Sequence, residues 1–181
     1  MRAGVGLACV ALLVACAPTI DHPVPAGPAF ENADVRFAAP TGWELLPSTS
    51  VSYGPGEILL YVANESLRED CHNVGTEISC RSPLADGLHA GGMLVTWVAS
   101  TCVARSCELP PAPLLAIGNR QGVRVPNNEV CEGTGFTEGS AYYVTVTPQR
   151  VDVLFTCARD PSDATRSAFL GFLDAIHWRI P

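Results

Sequence analysis

Six cysteines carry the clearest chemistry in this chain: Cys71, Cys80, Cys102, Cys107, Cys131 and Cys157. No two of them form a CxxC pair, and only His72 adjoins one of them. Structural zinc sites draw their ligands from such close pairs, and thioredoxin-type exchange needs CxxC. An even, unclustered set suits disulfides instead, provided that the chain is exported. The favoured pairing is Cys71–Cys80, Cys102–Cys107 and Cys131–Cys157, because the first two pairs each bracket a short polar loop. Other nucleophiles lack their partners. Gly139-Ser140 does not carry the flanking glycines of a nucleophile elbow. The chain contains no lysine, which excludes P-loop, Schiff-base and Ser-x-x-Lys chemistry. Glu65, Glu69, Asp70 and Glu77 are close enough in sequence to supply a glycosidase carboxylate pair. They lack calcium-loop spacing, and a charged stretch of this kind usually forms a solvated loop. His22, His72, His89 and His177 do not cluster. No catalytic residue, metal ligand or cofactor is assigned.

One further cysteine belongs to a different chemistry. Arg2 precedes an uncharged apolar run from Ala3 to Ala15. That run is shorter than the roughly 20 residues needed to cross a bilayer, and it has the form of a signal-peptide core. It ends in Leu13-Val14-Ala15-Cys16, which resembles the lipobox of bacterial lipoproteins. The resemblance implies cleavage before Cys16, diacylglycerol on its thiol, and a lipid anchor with fatty acyl chains such as palmitate. Each buried CH₂ of such chains contributes about 0.8 kcal/mol. The alternative is an ordinary secretory leader cut near Ala15 or Ala17. The resemblance places the protein on the extracytoplasmic face of the cell membrane, held there through Cys16.

These readings divide the chain into a signal peptide (1–15), a Pro/Ala-rich tether (16–32) and one globular domain (33–181). The domain of roughly 150 residues is long enough for a real core. Formal charge is −7 at pH 7, and loss of Arg2 with the leader makes it more negative still. Arginines never form a run, so nucleic acid is not an expected partner.

The domain's elements are read from periodicity. Val35–Phe37, Ile58–Ala63, Met93–Ala99, Leu114–Ile117 and Val123–Val125 read as strands. Tyr142–Thr147 and Val151–Phe155 alternate with period two around Pro148-Gln149-Arg150, which predicts a hairpin with a three-residue connection. Ser82-Pro83 opens a short helical turn to Leu88. Asp160-Pro161 predicts the cap and first residue of a closing helix, with Ala164, Ala168, Phe169, Phe172, Leu173 and Ile176 on one face. His177 beside that face is expected to be packed or half-exposed. The expected class is α+β: a mainly antiparallel sheet of roughly five to seven strands with a C-terminal amphipathic helix, stabilised by disulfides.

Three stretches carry a family resemblance: Pro40-Thr41-Gly42-Trp43, the strand Gly91–Trp97, and Phe172–Trp178. They look like uncharacterised actinobacterial lipoproteins, which are in turn similar to the PsbP-like α/β/α sandwich. The likeness covers most of Val35 to Trp178, departs at the three expected disulfides and at the polar insertion from Glu65 to His89, and implies a fold without an active site. The functional expectation is a membrane-anchored cell-envelope module that binds or scaffolds, with an envelope protein or an apolar ligand as partner. Its contact surface is expected in the polar insertion between Glu65 and His89. An envelope hydrolase with unrecognised catalytic residues is the alternative.

Overall fold

Alternation along two strands near the C-terminus sets the architecture. Tyr142, Val144 and Val146 are buried on one side and Ala141 on the other, and every residue from Val151 to Ala158 is buried. A strand buried on both faces must be central, with a covering layer on each side. The structure, a computed structural model, describes residues 27–53, 56–68, 71–74, 77–80, 84, 87–102, 107–131 and 134–179, apart from the side chains of 49–53, 71–74, 77–80 and 130. In chain order its elements begin with β1 (Ala29–Glu31), β2 (Val35–Ala38), β3 (Glu44–Tyr53), β4 (Gly56–Ala63), β5 (Cys71–Val74) and β6 (Glu77–Cys80). They continue with β7 (Met93–Thr101), β8 (Leu114–Ile117), β9 (Arg120–Pro126) and a 3₁₀ turn (Glu129–Cys131). β10 (Glu138–Thr147), β11 (Arg150–Ala158), α1 (Asp163–Ala175) and β12 (His177–Trp178) complete them.

Seven strands form one sheet in the order β3-β4-β7-β11-β10-β9-β8, antiparallel at every step. The first face packs Leu60, Val62, Trp97, Tyr142 and Leu154 against Phe169, Phe172 and Leu173 of α1. A small sheet, β1-β2-β12, covers the rest of that face. Phe37 of β2 stacks on Trp97 with ring centres 5.3 Å apart, and Trp178 of β12 meets Trp97 at the same distance. The second face carries Ile58, Val98, Val153 and Phe155 beneath Cys102, Cys107 and Leu109. Its other end holds Ala63, Leu94 and Cys157 beneath Leu84, Leu88 and Cys131. The mainly antiparallel α+β character therefore stands. Among the described residues α1 is the single α-helix, and nothing helical of that kind lies on the second face. None of the described helices is long and apolar enough to cross a membrane.

Several local expectations shift. The helix is capped by Ser162, whose Oγ accepts from the Thr165 N–H at 3.1 Å, rather than by Asp160-Pro161. Asp160 instead takes a left-handed backbone (φ 46°), and its N–H donates to Thr137 Oγ1 at 2.9 Å. Asp163 lies in the first turn, where the helix dipole favours its charge. The β10–β11 connection is two residues, because Arg150 joins the ladder opposite Thr147. β3 was not expected: Pro47 sits inside it, and a proline is tolerated there because β3 is an edge strand. The fold also begins before residue 33. Residues 29–31, assigned to the tether, pair with β2, and the Gly27 N–H donates to the Ala39 carbonyl at 2.9 Å. The helical turn expected at Ser82-Pro83 lies largely outside the described residues.

A two-residue turn, Gly118-Asn119, joins β8 to β9. Gly118 has φ +59°, and a Cβ there would collide with the Ile176 carbonyl. Asn119 uses its amide as a clamp: Oδ1 accepts from the Trp178 N–H at 2.8 Å, and Nδ2 donates to the Trp178 carbonyl at 2.9 Å. The Trp178 indole N–H donates to the Ile117 carbonyl at 3.1 Å. Asn119→Ala removes both side-chain bonds to β12. It is expected to destabilise the domain by about 1–3 kcal/mol, measurable as a lowered urea midpoint at unchanged m-value.

Candidate functional site

A cleft opens on the first face, between α1 and the end of the sheet where β10 begins and β11 ends. Register assembles it. Arg124 of β9 stands opposite Tyr142 of β10, and Ser140 stands opposite Thr156 of β11. Opposed residues share a face, so all four side chains point toward the helix. On α1 the helical spacing of Arg166, Phe169 and Leu170 places them along the same edge. The cleft encloses about 170 Å³, with Met93, Ala158, Phe169 and Leu170 as its apolar part. Leu170 is 46% exposed at the mouth.

The polar wall is rich in donors. Arg166 grips Glu138 through two parallel bonds, Nη1 to Oε2 at 2.8 Å and Nη2 to Oε1 at 2.6 Å. Arg124 is held differently. Its Nε and Nη2 donate to Ser140 Oγ at 3.1 and 2.9 Å, and its guanidinium lies 5.8 Å from the centre of the Tyr142 ring. Among the described residues no carboxylate pairs with Arg124. Tyr142 also meets Phe169 edge-on at 5.3 Å. Burial pushes the Tyr142 phenol above its ordinary value, against the pull of Arg124 and with help from Glu138. The phenol therefore stays protonated at neutral pH.

This arrangement does not activate a nucleophile. Ser140 lines the cleft, but its oxygen accepts from a guanidinium where a nucleophile would need to donate to a base. Among the described residues no histidine lines the cleft.

Comparison with protein-family models, curated proteins and solved structures finds no match.

The remaining candidate residues lie apart from the cleft. Glu65 and His89 do meet: Glu65 Oε2 lies 2.8 Å from His89 Nδ1, and Oε1 accepts from the His89 N–H at 2.8 Å. The imidazole is highly exposed (75%), and among the described residues it hydrogen-bonds to no hydroxyl or thiol. Glu69 and Asp70 lie outside the described residues, as do the side chains of His72 and Glu77. His177 is exposed on β12. Cys102–Cys107 and Cys131–Cys157 are bonded as expected, with Cα separations of 5.3 and 5.4 Å. The β5–β6 ladder sets Cys71 opposite Cys80, while their side chains, like all of Cys16, lie outside the described residues. No group of three potential metal ligands converges among the described residues.

Sequence reasoning missed Arg124, Glu138, Tyr142 and Arg166 as a group. A partial signal exists. Val123-Arg124-Val125 alternates, so its arginine must occupy the face opposite both valines. What is absent from the sequence is the register that sets this arginine beside Tyr142 at the cleft.

Proposed function

We propose that this chain is a lipid-anchored cell-envelope protein whose domain binds a ligand without transforming it. Anchoring rests on the Leu13–Cys16 sequence. Binding rests on one observation above others: in the cleft, Ser140 is engaged by Arg124 as an acceptor, so the wall presents recognition groups and no activated nucleophile. A concave apolar surface with a few convergent polar groups is the usual form of a ligand site. The Glu65–His89 stretch remains the proposed surface for an envelope protein partner.

Two measurements test this reading. Cys16→Ser is expected to move the protein from the detergent phase to the aqueous phase; identical partitioning of mutant and wild type would remove the anchor. A neutral apolar fluorescent probe is expected to bind the purified domain one-to-one. Leu170→Asp, at the exposed mouth, should weaken it about tenfold, the equivalent of one buried aliphatic side chain. Turnover of an envelope ester, peptide or glycan by the purified domain would instead establish the hydrolase reading.

A further inference from the structure

We propose that the cleft is a receptor for a single carboxylate carried on a short apolar body. This deepens the binding reading and rests on it. The argument is an inventory of donors and acceptors. A guanidinium has five N–H donors, and Arg124 uses its Nε and Nη2 on Ser140 while no carboxylate among the described residues neutralises it. Ser140 is 94% buried (6% exposed). Its oxygen accepts both Arg124 bonds, and its own proton has no acceptor among the described residues. The Tyr142 phenol oxygen lies within hydrogen-bonding reach of Arg124 but is neutral, and among the described residues no other neighbouring group compensates the charge. Thr156 Oγ1 donates to the Ser140 carbonyl at 3.2 Å, and both oxygens of Glu138 are taken by Arg166. Arg124 is exposed, so water meets its remaining N–H groups in the free protein, and the wall carries one positive charge that no carboxylate among the described residues pairs with.

A carboxylate supplies the matching acceptors, and its planar fork fits a guanidinium. The bidentate Arg166–Glu138 pair neutralises the acidic group that lines the cleft among the described residues. Met93, Phe169 and Leu170 lie across the cleft from these donors and take an apolar substituent. At about 170 Å³ the enclosed space suits a short chain or a single apolar side chain, with longer portions leaving past Leu170. The same chemistry is offered by a short-chain fatty acid and by the C-terminus of a peptide ending in an apolar residue. The net negative charge of the chain disfavours anions at long range, so recognition depends on these contacts.

The test uses calorimetry on the purified full-length protein with paired probes: octanoate against octanamide, and a tripeptide ending in leucine against its C-terminal amide. At least one acid is expected to bind about tenfold to a hundredfold more tightly than its amide, the range for hydrogen bonds to a charged partner. Whichever acid binds identifies the source of the carboxylate. Arg124→Gln should abolish the preference for acid over amide, and Arg124→Lys should restore part of it. Equal binding of acid and amide to wild type would overturn the carboxylate assignment and leave the binding reading standing. Failure of every probe, the neutral one included, would overturn both.

Discussion

Arg150→Met is expected to destabilise the domain by about 3–5 kcal/mol, the cost of leaving a buried charge without its partner. Asp152 is fully buried in β11. Its carboxylate accepts from Arg150 Nε at 2.6 Å, Arg150 Nη2 at 2.9 Å and the Trp97 indole N–H at 2.9 Å. Arg150 also reaches Asp34, in the turn between β1 and β2, through Nη1. The network thus joins the N-terminal strands to the central hairpin. Burial pushes the Asp152 carboxyl above its ordinary value, and Arg150 and Trp97 pull it back without fully offsetting that. A raised folded-state value means that protonation favours the folded form. The contribution is fully present below the unfolded value, near pH 4, and is lost as pH rises through the folded one. Removing Arg150 raises the folded value further. The Arg150→Met penalty should therefore be smallest near pH 4 and grow toward pH 7, as read by urea denaturation at each pH. Arg150→Met with Asp152→Asn should recover most of the loss at pH 7, because the amide oxygen still accepts from Trp97. A penalty independent of pH in the single variant would refute this account of the network.

Loss of the Cys131–Cys157 bridge is the second large effect. It ties the 3₁₀ turn to the central strand across 26 residues, and both cysteines are buried at the second face. By loop closure it contributes about 3.5 kcal/mol, against about 2 kcal/mol for the five-residue separation of Cys102 and Cys107. Cys131→Ala with Cys157→Ala should lower stability more than the corresponding double change at Cys102 and Cys107. Thermal or urea unfolding of the two double variants compares them directly. The reverse order would show that local packing outweighs chain entropy here.

Legibility in the sequence follows the range of the interactions. The β10–β11 hairpin and α1 were readable because period two and helical spacing are local signals with turn residues beside them. Cys102–Cys107 was readable for the same reason. β3 was hidden by Pro47 and a Ser/Thr-rich stretch, whose meaning depends on the strand lying at an edge. β12 is two residues long and exists because Asn119 and β2 hold it. The cap at Ser162 was misplaced because Asp160-Pro161 offers the same local chemistry; the left-handed Asp160 and its bond to Thr137 moved the start of the helix. The cleft depended on the relative register of four strands and the seating of α1, to which no short pattern points.

The aromatic contact between the first face and the layer over it joins distant parts of the chain: Phe37 near its described start, Trp97 in the middle and Trp178 near its described end. Its kinetic consequence is that the core cannot close while the chain is incomplete. Until Trp178 arrives, Trp97 has lost one of its ring partners and Asn119 has nothing to clamp. The unfinished chain then presents aromatic surface to solvent. Folds whose closing contacts are this non-local cross their barrier slowly, on about the millisecond-to-second scale. A chain of this topology has to finish folding after its last strand is free.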